Sequence, residues 1–474
     1  MSPLKPVQTA HPLTLRPAER RVLLFIGDIT MQGLALLFAL YDWAKADAYL
    51  DFSIEFIRQT PVWFFLLPAF FLVLISGLYN QSRASDQGET LRWIAFAALI
   101  SFVMYLTVYF FFPPGVLPRR GVAVFVISSL VLTLLWRLIY IRIFTAPQFL
   151  RRVLLVGAGE TGQIMLRIIR DLYPQPFLLA GIIDDDPAKN GKNFEGFPVL
   201  GDNSRLFEII SEKKITDLIV AISGKMQGSM FQALLDAQES GIEITRMPVA
   251  YEELLGRVPI RYLEADWILR SFVDQARGNV YYESLKRLID IIGGVLGLLL
   301  FSPLIPFICL GILLDTGSPI LYKQCRLGKG GHPYNIIKFR TMVQNAEPDG
   351  RPRWAEENDL RTTRIGGILR KTHMDELPQF LNVLRGEMSL VGPRAERPEL
   401  VEYFQGQVPF YRARLLVKPG ITGWAQINQD YAATVEETIE KLEYDLYYIK
   451  SRSVWMDVKV ILRTPTMVLG LRGR

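Results

Sequence analysis

The chain has 474 residues, 50% hydrophobic, 12% aromatic and 21% charged, with a net charge of +6 and a mean hydropathy of +0.21. That composition excludes a disordered chain and an ordinary water-soluble enzyme, and it suits an anionic membrane surface or an anionic substrate better than nucleic acid. Two cysteines, Cys309 and Cys325, exclude a disulfide scaffold, and three histidines leave little for a histidine metal cluster.

The length allows about three domains. The first of them, residues 1–147, holds four apolar stretches: Val22–Tyr41, Pro61–Tyr79, Trp93–Phe112 and Val122–Phe144. A spanning helix needs about 20 apolar residues, so a four-helix transmembrane bundle is expected. Arg137 and Arg142 interrupt the fourth stretch and are expected to snorkel to an interface. Lys5, Arg16, Arg20 and Arg21 precede the bundle, and Arg142, Arg151 and Arg152 close it, which puts both ends in the cytoplasm. Arg119 and Arg120 argue the other way, but the two flanks carry more weight.

Residues 148–275 alternate strands and helices, and predict a parallel, doubly wound, Rossmann-like sheet. Gly157-Ala158-Gly159-Glu160-Thr161-Gly162 lies between a strand and a helix, and Asp184 follows at the end of the next strand. This is the spacing of a nucleotide-binding turn, with Gly157, Gly159, Gly162 and Asp184 as its candidate residues. The same turn also serves a domain that binds nothing, or binds only for regulation.

Leu288–Leu314 is a fifth apolar segment, with Lys286 and Arg287 before it and Lys323 and Arg326 after it. Basic flanks on both sides conflict with a simple crossing. Ser302, Pro303 and Pro306 sit inside it, and proline bends or breaks a helix. The expectation is a re-entrant membrane helix over 286–315; a proline-kinked span is the alternative.

The last third groups an acidic pair, Asp375-Glu376, with cations and glycine turns: Lys338 and Arg340, Arg364, Arg370, Arg394 and Lys418. A carboxylate can attack phosphorus, two carboxylates can share a divalent ion such as Mg²⁺, and guanidinium groups grip phosphate. Thr372 is a plausible N-cap that would put the pair at the positive end of a helix. Simple helix-start capping is the plain reading of the pair alone.

The strings Lys286-Arg287 with Asp290, Ser302-Pro303, Lys338–Met342, Asp375–Gln379, Asn382–Arg394 and Lys418–Gly423 occur in one order from about Tyr281 to the C-terminus. Together they resemble the bacterial sugar transferases, the polyprenyl-phosphate hexose-1-phosphate transferases or monotopic phosphoglycosyl transferases. The resemblance implies an α/β membrane protein whose catalytic domain, 281–474, is mainly helical. The implied reaction moves a hexose-1-phosphate from a UDP-hexose to undecaprenyl phosphate and releases UMP, as the first membrane step of exopolysaccharide or O-antigen synthesis. The Arg394–Glu399 string resembles an exopolysaccharide-type subgroup, which makes glucose the expected sugar.

In the family the Asp of the pair is the nucleophile, which maps to Asp375. Glu376 then helps bind Mg²⁺ or handle protons, with Asp375 and Glu376 as the metal residues. Lys286, Arg287 and Asp290 anchor the re-entrant helix. The implied partners are membrane lipid and a second copy in a dimer, with no nucleic acid. The implied place is the bacterial inner membrane, multi-pass, with the catalytic domain on the cytoplasmic face. Tyr282–Lys286 and Tyr334–Lys338 mimic a reductase string, and a membrane-anchored nucleotide-sugar dehydratase or epimerase is the rival enzyme. It would need a second glycine fingerprint, which does not occur after Gly181. A nucleotide-sensing scaffold is the non-enzyme rival, and it gives no reason for an acidic pair among arginines.

Overall fold

A computed structural model of the chain describes residues 17–46, 51–79, 84, 87–111, 119–144, 150–173, 175–224, 226–262, 280–343, 359, 361–429 and 434–469. Lys5, Arg16 and the expected domain edges at 147, 148 and 275 lie outside these residues. The chain divides into two compact units, Met1–Ala250 and Tyr251–Arg474.

In the first unit, α1 (Pro17–Ala46) and α5 (Arg119–Phe144) contain segments long and apolar enough to cross a membrane, Glu19–Ala46 and Arg119–Ile143. The second expected span is corrected. After α2 (Ile54–Gln59) the chain forms a 3₁₀ turn at Val62–Leu66, then α3 (Leu67–Leu74) and another turn at Ser76–Tyr79. Pro61 and Pro68 stand at the starts of these pieces, where a missing N–H is harmless, and they prevent one continuous helix. α4 (Gln87–Phe111) is continuous, but its apolar part is Thr90–Leu106. Among the described residues two helices, not four, therefore meet the requirements of a span, or three if the bent pair described below counts as one.

Arg137 does not snorkel. It is fully buried and clamps Asp28 of α1, also fully buried, at 2.6 Å through Nη2 and 3.3 Å through Nε. Its Nη1 donates to the Leu78 carbonyl. One turn along each helix, Ser129 and Thr133 bond the Gln32 amide at 2.9 Å each. A polar seam between two apolar helices fixes which faces meet, because any other pairing strands these groups against apolar surface. Arg120 and Asp42 are also paired, at 2.8 Å, so that half of the dissenting positive charge is neutralised.

The sheet of the first unit follows from its strand-helix rhythm. Its elements are β1 (Arg152–Val156), α6 (Glu160–Asp171), β2 (Leu178–Ile183), β3 (Asn193–Phe194), β4 (Phe197–Gly201), α7 (Leu206–Lys213), β5 (Asp217–Val220), α8 (Gly228–Glu239) and β6 (Glu243–Arg246). The order is β3-β4-β2-β1-β5-β6, parallel throughout except for the β3–β4 hairpin. The hairpin was not expected, since its short strands carry little apolar periodicity. α9 (Met247–Leu255) follows.

In the second unit, α10 (Val280–Phe301) and α11 (Ile305–Thr316) meet at a 64° bend. Pro303 offers no amide at the break, and the Ser302 hydroxyl donates to the Leu299 carbonyl at 2.8 Å. One stripe of α10 faces protein: Lys286, Asp290, Gly293, Gly294 and Gly297, at helical spacing. Lys286 bonds Asp457, the Val391 carbonyl and the Tyr448 hydroxyl at 2.9–3.1 Å. Asp290 accepts from Ser389 and the Leu390 amide. Outside this stripe, Leu296 and Leu300 of α10 and Leu314 of α11 are 60%, 72% and 80% exposed, a surface suited to lipid rather than water.

The remaining elements are β7 (Leu321–Leu327) and β8 (Pro333–Phe339), an antiparallel hairpin, then α12 (Arg364–Lys371), α13 (Gln379–Arg385), β9 (Ser389–Val391), α14 (Pro398–Gln405), β10 (Gly420–Thr422), α15 (Trp424–Asn428), α16 (Val435–Lys450) and α17 (Val454–Leu469). Their core joins Val383, Met388, Val391, Leu446 and Val460 to Val258 and Ile260, so residues 251–262 belong to this unit's interior. A second cluster ties Ile308 and Ile312 of α11 to Phe339, Leu369 and Leu377.

A Cβ on Gly297 would fall 2.6 Å from the Phe380 ring of α13. Gly297→Leu is therefore expected to destabilise the unit by about 1–3 kcal/mol, as overpacking does. Thermal unfolding in detergent reads this as a lowered midpoint; an unchanged midpoint would show that α10 does not seat on α13.

Candidate active site

Asp375 and Glu376 form a 3₁₀ turn, Met374–Glu376, between α12 and α13. The expected cap is corrected. Thr363 caps α12 by accepting from the Gly366 amide, while Thr372 ends that helix with its hydroxyl on the Ile368 carbonyl. His373 then turns the chain at φ +55°, a left-handed conformation that costs a non-glycine residue of order 1 kcal/mol. Pro378 delays α13 to Gln379. Asn382 staples α13 to β8 through its amide, accepting from the Ile337 amide at 3.1 Å and donating to the Asn335 carbonyl at 2.8 Å. Its sequence position gave no hint of this role, which depends on a strand 45 residues away.

The two carboxylates are equally buried, at 8% and 9% exposure, and differ in their partners. Lys338 and Arg394 each donate to Glu376 Oε1 at 2.8 Å. Burial pushes Glu376 up, but Arg394 and Lys338 outweigh it and hold the group well below the usual carboxylate range. No hydrogen bond to the Asp375 carboxylate is made among the described residues. Burial raises its pKa, Lys338 opposes, Glu376 adds to the rise, and Arg394 and Arg370 offset part of it.

Glu376→Gln would leave Lys338 and Arg394 without the carboxylate that both of them bond. The expected loss is about 2 kcal/mol, below the usual figure for a broken buried pair because Arg394 is 39% exposed. The stability that Glu376 supplies is present above its unfolded pKa and is lost as pH falls toward its depressed folded value. The wild-type advantage over the Gln variant, measured by chemical denaturation, should therefore shrink below about pH 4. An advantage that does not change with pH would refute the ion-pair assignment.

The structure brings some of the candidate residues together and not others. Lys338 and Arg394 converge on the pair. Arg370 acts on it electrostatically while bonding Thr341 and Thr362. Arg340 sits at the end of α11, on Thr316 and the Gly317 carbonyl. Arg364 opens α12 with an exposed side chain. Lys418 lies beside Arg287 and Gly386 at the far end of α13, where Arg287 bonds the Val383 and Leu384 carbonyls at 2.7 Å. Tyr282 and Lys286 share Asp457, and Lys338 holds Glu376, so the lysine of each Tyr-x-x-x-Lys string is already paired.

One supporting network was not anticipated. Arg414 bonds the Arg394 carbonyl, Asp445 and Tyr411, and it shares Glu396 with Lys441. Burial opposes ionisation of Glu396, but Lys441 and Arg414 bring it down to about 2. The partners come from three separated segments, so no local signal in the chain could reveal them.

Among the described residues no three His, Cys, Asp or Glu side chains cluster. At this turn Asp375 and Glu376 offer carboxylate oxygens. That set fits Mg²⁺, which takes one or two carboxylates and completes its shell with water and phosphate.

In the first unit Gly157 has φ +104°, and a Cβ on Gly162 would fall 2.0 Å from the Gly157 carbonyl. Around Gly159 there is open space. Asp184 does not stand free beside this turn: it accepts from the Ala158 amide at 2.6 Å and pairs with Lys189 at 3.1 Å.

A family model described as bacterial sugar transferase matches residues 281–470, and one described as CoA-binding domain matches residues 74–248. A UDP-glucose:undecaprenyl-phosphate glucose-1-phosphate transferase of Caulobacter vibrioides is 42% identical over 187 residues, 39% of this chain and 69% of that protein. A UDP-N-acetylgalactosamine-undecaprenyl-phosphate N-acetylgalactosaminephosphotransferase of Aeromonas hydrophila is 42% identical over 224 residues, 47% of this chain and 52% of that protein. A UDP-glucose:undecaprenyl-phosphate glucose-1-phosphate transferase of Xanthomonas campestris pv. campestris is 32% identical over 286 residues, 58% of this chain and 57% of that protein. The chain thus spans about half the length of the last two. It belongs to the bacterial sugar transferase family.

Proposed function

We propose that the protein transfers a hexose-1-phosphate, glucose-1-phosphate in the first instance, from a UDP-sugar to undecaprenyl phosphate and releases UMP. The observation that carries this is the unequal pair. Two carboxylates of equal burial are driven apart, one locked between cations and the other left unbonded and more basic than usual. Relatives whose names state this reaction support it.

In the proposed sequence an Asp375 oxygen attacks the phosphorus next to the sugar. The P–O bond to UMP breaks, and UMP leaves with the bridging oxygen and its electron pair. An oxygen of the lipid phosphate then attacks the same phosphorus, the aspartyl–phosphorus bond breaks, and the carboxylate is restored. Glu376 keeps Lys338 and Arg394 beside the reacting phosphate without quenching the nucleophile. Mg²⁺ held by Asp375 or Glu376 would neutralise charge on the diphosphate. We also read α10–α11 as re-entrant from the cytoplasmic face, since its flanks are basic on both sides.

The test is a panel of UDP-glucose, UDP-galactose and UDP-N-acetylgalactosamine with undecaprenyl phosphate, read as UMP. UDP-glucose is expected to react fastest. The absence of UMP with every donor would overturn the reading, and UDP-N-acetylgalactosamine as the best donor would overturn the sugar.

A further inference from the structure

Arg340 is more than nine-tenths buried. Its Nη2 donates to the Thr316 hydroxyl and the Gly317 carbonyl, at 2.6 and 2.5 Å. Its Nε and Nη1 are buried and find no acceptor among the described residues, and no carboxylate there pairs with it. Asp315, the acid next to Thr316, is turned to the Ile365 amide. Capping the carboxyl end of α11 accounts for Nη2 alone. A buried guanidinium with two unsatisfied nitrogens and no counter-ion is costly unless an anion completes it.

The position of Arg340 narrows the choice of anion. α11 is apolar from Ile305 to Leu314, and Arg340 is tied to the point where that arm gives way to polar chain. Lys338, two residues earlier on β8, is already committed to Glu376. For a phosphate carried on an apolar chain along α11, Arg340 stands at the polar end of that arm, with buried Nε and Nη1 donors left to bond it. We infer that Arg340 seats the monoester phosphate of the polyprenyl acceptor, a subsite separate from the cations that hold Glu376. The assignment rests on the proposed reaction for its acceptor, and it is tested partly by binding so that the two can fail separately.

Full-length wild type, Arg340→Gln and Arg340→Lys would be compared in lipid nanodiscs. For Arg340→Gln the apparent KM for undecaprenyl phosphate should rise about ten-fold or more, as expected for a lost charge-assisted bond. The KM for the UDP-sugar and the burst of UMP made without acceptor should stay at wild-type values. Arg340→Lys, which keeps the charge, should fall between, and it decides alone if the Gln variant does not fold. In direct binding, affinity for undecaprenyl phosphate should drop about ten-fold in Arg340→Gln. Affinity for undecaprenol should not change, and inorganic phosphate should compete only weakly. Three results would each overturn the seat: a shift in donor KM instead, no shift in either KM, or inorganic phosphate binding as tightly as the lipid. Wild type that makes no UMP but binds the lipid through Arg340 would sink the reaction and keep the seat.

Discussion

Asp375→Asn should cut UMP release by about 10³-fold or more, because an amide oxygen is too poor a nucleophile to displace UMP. The variant should fold at least as well as wild type. Asp375 has a raised pKa, so in the window between its unfolded and folded values the native state holds a proton that the unfolded state has lost. Stability falls as pH rises through that window, and above the folded value the wild type bears the whole penalty. An uncharged amide removes it, so the melting midpoint should be equal or higher. The wild-type rate should also fall as pH drops through the raised pKa of Asp375, as the nucleophile takes up a proton. Mass spectrometry should find a phosphohexose adduct on wild type before acceptor is added, and none on Asp375→Asn. Near-normal turnover in the Asn variant would remove Asp375 from the chemistry.

The second large effect lies in the two long apolar helices, α1 and α5. Arg137→Leu leaves Asp28 buried without its partner, which should destabilise the bundle by about 3–5 kcal/mol. Asp28→Leu should do similar damage. The double substitution should recover much of the loss, because two apolar residues strand no charge. A double-mutant cycle in detergent-solubilised protein reads this as strong positive coupling. Additive single effects would mean that the pair does not act as a unit. Activity is not the readout here, since none of these residues lies in the second unit.

Much of the architecture could be read along the chain. The apolar stretches gave α1 and α5, the short apolar runs gave four members of the six-stranded sheet, and Ser302-Pro303 marked the bend between α10 and α11. Other readings failed for definite reasons. Hydropathy counted Pro61–Tyr79 as a span, but proline geometry breaks it. Arg137 read as a snorkelling residue because its partner stands 109 positions away. Thr372 read as an N-cap because the chain reverses at His373, and a positive φ at histidine has no sequence signal.

By itself, the sequence determined which residue types are present and their local order: the acidic pair, the surrounding cations, the glycine stripe of α10 and the basic flanks of the apolar arm. Local order follows from covalent neighbours and short-range periodicity, which need no knowledge of the fold. Only the tertiary structure decided which cations serve which carboxylate. Lys338 comes from 38 positions before Glu376 and Arg394 from 18 after it, and they meet on one oxygen because Asn382 pins α13 to β8. The same packing leaves the Asp375 carboxylate without a hydrogen-bond donor among the described residues and directs Arg340 to the end of α11. Burial and partner choice set proton affinity, and both arise from long-range contacts, so the difference between two adjacent carboxylates arises only in the folded chain.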